Sequence, residues 1–237
     1  MSRESSSIPT AAIGPYRAGS AALRDEGTLT DKAYQLLEQD IVTLKLAPDS
    51  VVSEAILSRR LGIGTTPVRE ALQQLARDRL VRILPRRGVV ITSVDVREQM
   101  DVLETRRCLD RLVACKAASR STVAERAELP ELIALTEAAT EAGDVHEFVR
   151  LDGQLNLWFT KVMRNAIATE AATRLHAVSR RFWFFHLKDQ TQFAETSACH
   201  VGLIRGVASG CEDQAGAASD RLIDYLVDFA TATLLRK

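Results

Sequence analysis

The spacing of apolar residues first becomes regular at Leu29, and from there to about residue 78 it is helical. A first run places apolar side chains on one helix face, at Ala33, Leu37, Ile41 and Leu44. Ser53 and Gly62 are residue types preferred at the two ends of a short second helix. Thr66 followed by Pro67 predicts that Thr66 caps a third helix and that Pro67 is its first residue. The pattern predicts three helices, the last two joined by a tight turn.

After Asp78 the apolar pattern changes to a period of two. Residues 80–84 and 89–92 alternate as strands do, and between them lies Pro85-Arg86-Arg87-Gly88, which is typical of a turn. We therefore predict a β-hairpin with two arginines and a glycine at its tip. Three helices followed by a basic hairpin are the plan of a winged helix-turn-helix.

From Asp95 onward the pattern is helical and predicts no strand. Asp95 with Glu98, and Thr122 with Glu125, have the spacing of helix-starting capping boxes, while Gly143 and Gly210 interrupt the pattern. Six helices are predicted, over about 95–118, 122–143, 144–163, 167–187, 194–208 and 210–235. An antiparallel helical bundle follows. We expect a mainly α protein with a flexible tail over residues 1–28, a winged helix-turn-helix over 29–93 and an all-helical domain over 94–237.

Composition excludes some classes of protein and leaves others open. The chain is 46% hydrophobic and 26% charged, as ordinary globular proteins are, and no apolar run is long enough to span a membrane. The net charge is zero, but residues 52–92 hold eight arginines and three acidic residues, a local excess of +5. Such a patch is expected of a nucleic-acid-binding module, although a solvated charged face has the same pattern.

The four cysteines have no CxxC or metal-knuckle spacing, which favours a reducing, cytoplasmic setting. Cys108 and Cys115 share a helix face and are expected to be buried thiols. The aromatic run over 182–186 predicts core packing or a dimer seam. His146, His176 and His186 have no recognisable partner spacing and receive no role.

The segment Gly62-Ile63-Gly64-Thr65-Thr66-Pro67-Val68-Arg69-Glu70-Ala71-Leu72 closely resembles the recognition-helix signature of GntR-family bacterial regulators. Leu75-Ala76-Arg77-Asp78 and the hairpin tip fit the same signature, and the helical remainder resembles the FCD branch of that family. The resemblance implies a dimer that binds palindromic double-stranded operator DNA. It also implies that the helical domain forms the dimer and binds a small metabolite, a carboxylate, that alters DNA affinity.

The resemblance also implies which residues contact DNA. The candidates are Thr65, Thr66, Arg69 and Gln73 on the third helix and Arg86, Arg87 and Gly88 at the hairpin tip. Arginine can bind guanine O6 and N7, threonine can contact a thymine methyl or a phosphate, and an arginine at the tip suits the minor groove. Many relatives have arginine where this chain has Thr65, so one guanine contact is absent and the operator sequence stays open.

Asp152 is unusual because it interrupts an apolar stripe. Its neighbours on that stripe are Phe148 and Leu155, and Asn156 lies one turn further on the same face. His200 precedes an apolar face on a later helix, and Arg106 lies on the first bundle helix. A buried charge is costly unless it is paired or hydrated. We therefore predict that Arg106, Asp152, Asn156 and His200 line one polar cavity that takes a small anionic molecule.

In metal-binding members of the FCD branch an aspartate and three histidines converge. Asp152 and His200 match two of these ligands, whereas Asn156 and Leu222 stand where the other histidines are usual. One carboxylate and one imidazole form a weak, incomplete metal site. No cofactor is expected to be required. A weakly bound divalent ion such as zinc or nickel, a metal-free ligand pocket and plain structural burial remain open.

Two other functions remain as alternatives. A hydrolytic enzyme with an Asp152/His200 centre is one, although the sequence has no P-loop, GxSxG or HExxH motif. A helix-turn-helix that makes only protein contacts is the other, and its binding would lack a steep dependence on salt.

Overall fold

The computed structural model describes residues 27–234, which form a small winged helix-turn-helix followed by helices alone. The first part contains one three-stranded antiparallel sheet with strand order β1-β3-β2. The elements of this part are α1 (Leu29–Val42), β1 (Val51–Val52), α2 (Glu54–Leu61), α3 (Thr65–Arg77), β2 (Val81–Leu84) and β3 (Gly88–Ile91). The mainly α fold with an N-terminal winged helix-turn-helix is confirmed.

Within the described residues the second part contains seven helices, one more than the six predicted. They are α4 (Val96–Arg120), α5 (Val123–Arg126), α6 (Leu129–Glu141), α7 (Val145–Val162), α8 (Ala166–His186), α9 (Gln190–Ala208) and α10 (Glu212–Leu234). The helix predicted over 122–143 is divided because the capping box at Thr122 starts only the short α5. A new helix then begins with Pro130 in its first turn, where proline is tolerated.

The starts of two early helices differ from their predictions. Thr28, which we assign to the tail, caps α1, because its hydroxyl accepts from the Asp31 amide and Asp31 bonds back. Helix α3 starts at Thr65 with Gly64 as its cap, so Thr66 is not a cap and Pro67 is not the first helical residue. The reason is that the extended Gly64 already accepts the Val68 amide at 3.3 Å. The rest of the predicted tail, residues 1–26, lies outside the described residues.

The two parts share packing surfaces. Val102 of α4 and Ala177 and Val178 of α8 belong to the same buried cluster as Leu37 and Leu72 of the winged helix-turn-helix. A second, larger core joins α4 with the helices α7 to α10. The long helices α4 and α8 therefore contact both the winged helix-turn-helix and the interior of the bundle.

Arg181 fixes the connection between β3 and α4. Its guanidinium is buried and donates to the carbonyls of Thr92, at 3.0 Å, and Ser93, at 2.8 Å. Burial lowers the pKa of Arg181 to about 10, although the charges of Glu98 and Asp49 oppose that shift. The domain boundary that we predict at 93/94 falls inside this bonded connection.

The prediction that Cys108 and Cys115 are both buried thiols is wrong. Cys108 is exposed, and Cys115 is half-buried with its thiol 3.2 Å from the carbonyl of Glu212. Helix α4 places Cys108 on its solvent side, so the two cysteines do not share a buried face. In the aromatic run over residues 182–186, Phe182 and Trp183 are buried, but Phe185 is 48% exposed.

No helix in the described part of the chain is long and apolar enough to cross a membrane.

Candidate functional site

Helix α3 presents a polar face to solvent. Val68, Ala71, Leu72 and Leu75 are buried on its inner side. The predicted contact residues Thr65, Thr66, Arg69 and Gln73 are all exposed. Their spacing of four residues from Thr65 to Arg69 to Gln73 puts these three side chains on one face of the helix. The fold does not need this face for packing.

Arg69 is held by a neighbour on α2. Its Nε and Nη2 atoms lie 2.9 and 2.8 Å from the same carboxylate oxygen of Glu54. The hydrogen bond and charge of Glu54 raise the pKa of Arg69 above its ordinary value, so the guanidinium stays charged. To bind a base, Arg69 must exchange this partner for DNA.

The wing turn exposes Arg86 and Arg87, as the sequence predicts. The Arg87 amide donates to the Leu84 carbonyl at 3.0 Å, and Arg86 has a left-handed φ of 62°. The backbone conformation and the close packing at position 88 both require glycine. Its φ is +99°, and a Cβ there would lie 2.7 Å from the backbone oxygen of Val52 in the neighbouring strand.

The four predicted effector residues come together inside the bundle. Arg106 on α4, Asp152 and Asn156 on α7, and His200 on α9 line two adjoining pockets. The spaces between side chains, including their solvent-open parts, measure about 370 and 360 Å³. Asp152 and His200 are each about 10% exposed or less at the side chain.

Asp152 and His200 form a buried pair. The Nε2 atom of His200 lies 3.3 Å from Oδ1 of Asp152, and Nδ1 donates to the Thr196 carbonyl at 2.8 Å. Burial would lower the pKa of His200, but Asp152 and the Thr196 carbonyl outweigh it and raise that pKa. Burial likewise opposes ionisation of Asp152, yet His200 and Arg180 hold its pKa far below the usual range. Both pKa shifts favour the ionic form of the pair.

Three further polar residues belong to this site and were not predicted: Asp110, His176 and Arg180. Both Nε and Nη2 of Arg106 donate to one oxygen of Asp110, at 2.9 and 2.7 Å, and Nε2 of His176 donates to the other at 2.9 Å. Burial alone would raise the pKa of Asp110, but Arg106 and His176 lower it to about 2. The spacing of Arg106 and Asp110, four apart on one helix, was the available signal.

Arg180 lies between the cavity and α1. Its Nη2 forms an ion pair with Glu38 of α1, and its Nη1 lies 3.4 Å from the carbonyl of Val149 on α7. Its Nε lies 3.8 Å from Oδ2 of Asp152. A Cβ on Gly153 would lie 2.7 Å from Nη1, so the glycine leaves room for the guanidinium.

The cavity residues do not fit a resident metal ion. Oδ1 of Asp152 accepts from the Asn156 amide at 3.0 Å and faces His200, whose second ring nitrogen is bonded to backbone. Leu222 is buried on the cavity wall and offers no ligand atom. Across the described residues, no group of three or more histidine, cysteine or acidic side chains is placed to hold a metal. Asp152 and His200 therefore remain an incomplete pair of metal ligands among the described residues.

A winged helix-turn-helix with an exposed, basic recognition helix, packed on a helical domain with a polar cavity, defines a DNA-binding regulator with a sensing domain. Residues 29–91 match the family described as bacterial regulatory proteins, gntR family, and residues 101–225 match the FCD domain. The chain belongs to the GntR family of transcriptional regulators and carries an FCD domain.

Two relatives that are similar in sequence agree with this assignment. The chain is 27% identical to the HTH-type transcriptional repressor RspR of Escherichia coli over 153 residues, which are 65% of this chain and 67% of RspR. It is 34% identical over 110 residues to an HTH-type regulator of Agrobacterium vitis from the TAR-I ttuE-ttuC' intergenic region, covering 46% of this chain and 62% of that one. These relatives are regulators, so the hydrolytic alternative for Asp152 and His200 is set aside.

Two solved structures show the same fold. E. coli McbR/YncC superposes with a TM-score of 0.75 at 18% identity, covering 88% of this chain and 99% of that one. A GntR-type regulator from Rhodococcus sp. RHA1 gives a TM-score of 0.61 at 19% identity, covering 88% and 98%. At these identities the likeness concerns the fold alone.

Proposed function

We propose that the protein binds a palindromic DNA operator as a homodimer and that a small carboxylate in the bundle cavity changes its DNA affinity. The observation that carries the proposal is a buried cavity of mixed charge whose wall, helix α8, also packs against the winged helix-turn-helix. A change at the cavity wall can therefore reach the DNA-reading unit through one rigid helix.

The exposed face of α3 has the chemistry for reading bases. Arg69 offers a planar guanidinium for guanine, and Thr65 and Thr66 lie in the first turn, where the helix dipole attracts phosphate. Arg86 and Arg87 project at the tip of the wing, where phosphates or the minor groove would contact them. Gln73, two turns from Thr65, extends the same face.

A dimer follows from the size of this surface. One recognition helix reads only a few base pairs, whereas two related half-sites multiply the specificity. Most of the remaining surface belongs to the helical domain, so we assign the dimer contact to that domain. A two-fold dimer reads a palindrome because its two recognition helices are related by the same symmetry.

An anionic effector suits the charges in the cavity. Its lining contains four basic side chains and two carboxylates, namely Arg106, His176, Arg180, His200, Asp110 and Asp152. A carboxylate would therefore enter a region in which basic side chains outnumber carboxylates. Apolar walls from residues such as Phe148 and Leu226 complete a site of the kind that binds small metabolites.

Replacing Arg69 tests the DNA-binding half of the proposal. The operator is first obtained by selecting bound duplexes from a random DNA pool, and affinities are then measured by fluorescence anisotropy at fixed salt. Arg69→Ala should cost roughly 1–3 kcal/mol and relax the preference at one base position. Arg205→Ala, which removes an exposed arginine from the helical domain, is the matched control and should bind as the parent does. Equal affinities for the Arg69 variant and the parent would contradict the proposal.

A further inference from the structure

We propose that the effector is a hydroxy acid whose carboxylate binds Arg180 and whose hydroxyl binds His176, and that its binding is passed to the DNA-reading domain through the ion pair between Arg180 and Glu38. This inference rests on the proposed function and names the ligand class and the regulation of the same cavity. Neither Arg180 nor His176 was among the residues predicted from sequence.

Arg180 pairs with Glu38 through Nη2, but its Nε, 3.8 Å from Oδ2 of Asp152, makes no hydrogen bond to the described residues. Arg106 already donates through two atoms to Asp110, and both ring nitrogens of His200 face oxygen acceptors. By contrast, Nε of Arg180 is buried and has no hydrogen-bond partner among the described residues. A buried guanidinium N–H without an acceptor is costly, and a ligand carboxylate oxygen would satisfy it.

His176 provides a second unsatisfied atom one helical turn from Arg180. Its Nε2 is bonded to Asp110, while its Nδ1 is buried and has no partner among the described residues. Residues four apart on a helix present neighbouring side chains, and both residues line the same pocket. A hydroxyl can donate to a bare Nδ1 or accept from a protonated one, so it fits either state of the ring. An acid with a hydroxyl beside its carboxylate would satisfy both atoms.

The same guanidinium connects the cavity to α1. The side chains of Arg180 and Glu38 are only 10% and 14% exposed, so their pairing is shielded from solvent. A ligand carboxylate on Nε would compete with both Glu38 and Asp152 for the single positive charge of Arg180. Glu38 would then be a buried, poorly compensated anion, which is costly.

The direction of regulation follows from that competition. When Arg180 turns toward the ligand, α1 loses its charged attachment to α8, and the recognition helix is held less firmly relative to the bundle. Two recognition helices that are no longer fixed must lose more conformational freedom on binding a palindrome. The effector should therefore weaken operator binding.

Gly153 supports the position assigned to Arg180. Glycine inside a helix is less stable than alanine, yet α7 has one at the point where the guanidinium crosses it. Because the obstructed atom is at the end of a flexible side chain, Gly153→Ala would displace Arg180 rather than prevent folding.

Matched acids test the ligand class. Calorimetry on the full-length protein compares malate with succinate and 2-hydroxyglutarate with glutarate, two pairs that differ only in one hydroxyl. The hydroxy acid of at least one pair should bind roughly tenfold more tightly or better, because the analogue leaves Nδ1 of His176 unpaired. Arg180→Gln should abolish that binding, while Arg174→Gln, on an exposed part of the same helix, should preserve it. Equal binding within both pairs, binding of none of the four acids, or full binding by Arg180→Gln would overturn the assignment.

The relay is tested with Glu38→Gln on the selected operator. The variant should bind operator more weakly than the parent without any acid and should lose at least half of the free-energy response to malate and 2-hydroxyglutarate. Glu170→Gln is the control, since it breaks an arginine ion pair that stays within α8. Circular dichroism and thermal unfolding establish that each variant is folded.

The outcomes separate the two proposals. If the parent responds to a hydroxy acid and Glu38→Gln responds equally, the relay is wrong and the proposed function stands. If the parent selects no DNA sequence at all, the proposed function fails, whatever the acids do.

Discussion

His200 contacts an acceptor through each ring nitrogen, the Thr196 carbonyl on one side and the Asp152 carboxylate on the other. Both bonds are satisfied at once only by the protonated ring. The contact between the two side chains therefore both raises the pKa of His200 and lowers the pKa of Asp152.

This contact predicts a pH dependence of stability. The folded-state pKa of His200 is raised, so its contribution is complete below the unfolded value of about 6.5 and is lost as pH rises through the folded value. Asp152 has a depressed pKa, so its contribution is lost only in acid, below about pH 4. Urea unfolding of the parent and His200→Gln between mildly acidic and alkaline pH should show a stability difference that shrinks toward high pH. The exposed His146→Gln is the control, and a pH-independent difference for His200→Gln would contradict the ion pair.

Glu54 makes a second residue-level prediction. Because it binds the guanidinium of Arg69 in the free protein, it competes with DNA for that side chain. Glu54→Gln should strengthen operator binding, by up to about 1 kcal/mol, the usual limit for an exposed ion pair. Glu70→Gln removes the same charge from α3 but leaves Arg69 paired, so it should strengthen binding less in the same anisotropy titration. Equal gains for both variants would show only a general charge effect.

The residues of the cavity differ in how far sequence reveals them. Asp152 could be found because it interrupts an apolar stripe, and Asn156 because it follows on the same face. Arg180 and His176 gave no such signal. Their significance depends on Glu38 and Asp110, which are 142 and 66 residues away in the chain, and such pairings exist only in three dimensions.

Among the elements, α2 and the hairpin were predicted well. Ser53 and Gly62 bound α2 as expected, and the hairpin pairs Ile83 with Val89 around its basic turn. The two-residue strand β1 was missed because it is too short to show alternation and exists only by pairing with β3. The division between α5 and α6 was missed because Thr122 and Pro130 can each start a helix, and apolar spacing does not decide between one helix and two.

Replacing two glycines with alanine tests how the elements that contain them tolerate a Cβ atom. Gly88 begins β3 with a positive φ, and a Cβ would press on the backbone of β1, which cannot yield as a side chain can. Gly88→Ala should therefore destabilise the winged unit by more than about 1 kcal/mol. Gly202 lies in α9, where a Cβ would meet nothing within 4 Å beyond the backbone of its own helix, so Gly202→Ala should stabilise by roughly 0.5–1 kcal/mol. Thermal and urea unfolding measure both, and a harmless Gly88→Ala would show that the sheet can adjust.

At the scale of the whole molecule, the two parts are joined by more than the chain. The shared core of α1, α4 and α8, the ion pair of Arg180 with Glu38 and the bonds of Arg181 to the connection all cross the same boundary. The sequence predicted a boundary between the two parts at 93/94. It did not indicate the contacts across that boundary, since arginines on α8 look like ordinary surface charges when read along the chain.

The hydrogen bonds of the buried Arg181 to the carbonyls of Thr92 and Ser93 restrict the spacing of half-sites in the operator. A connection held by two hydrogen bonds cannot lengthen or rotate as a flexible linker would, so in the proposed dimer the distance and rotation between the recognition helices are set by the bundle.

DNA with five base pairs added between half-sites turns the second half-site by about half of its 10–10.5 base-pair repeat, onto the opposite side of the duplex. Such DNA should lose the affinity that the second half-site contributes. Addition of a full helical turn moves the second half-site along the axis, so this DNA should lose that affinity as well. In Arg181→Met, which frees both carbonyls, anisotropy should show weaker binding to the natural spacing and a smaller penalty for the altered ones. Equal penalties in parent and variant would show that another contact sets the spacing.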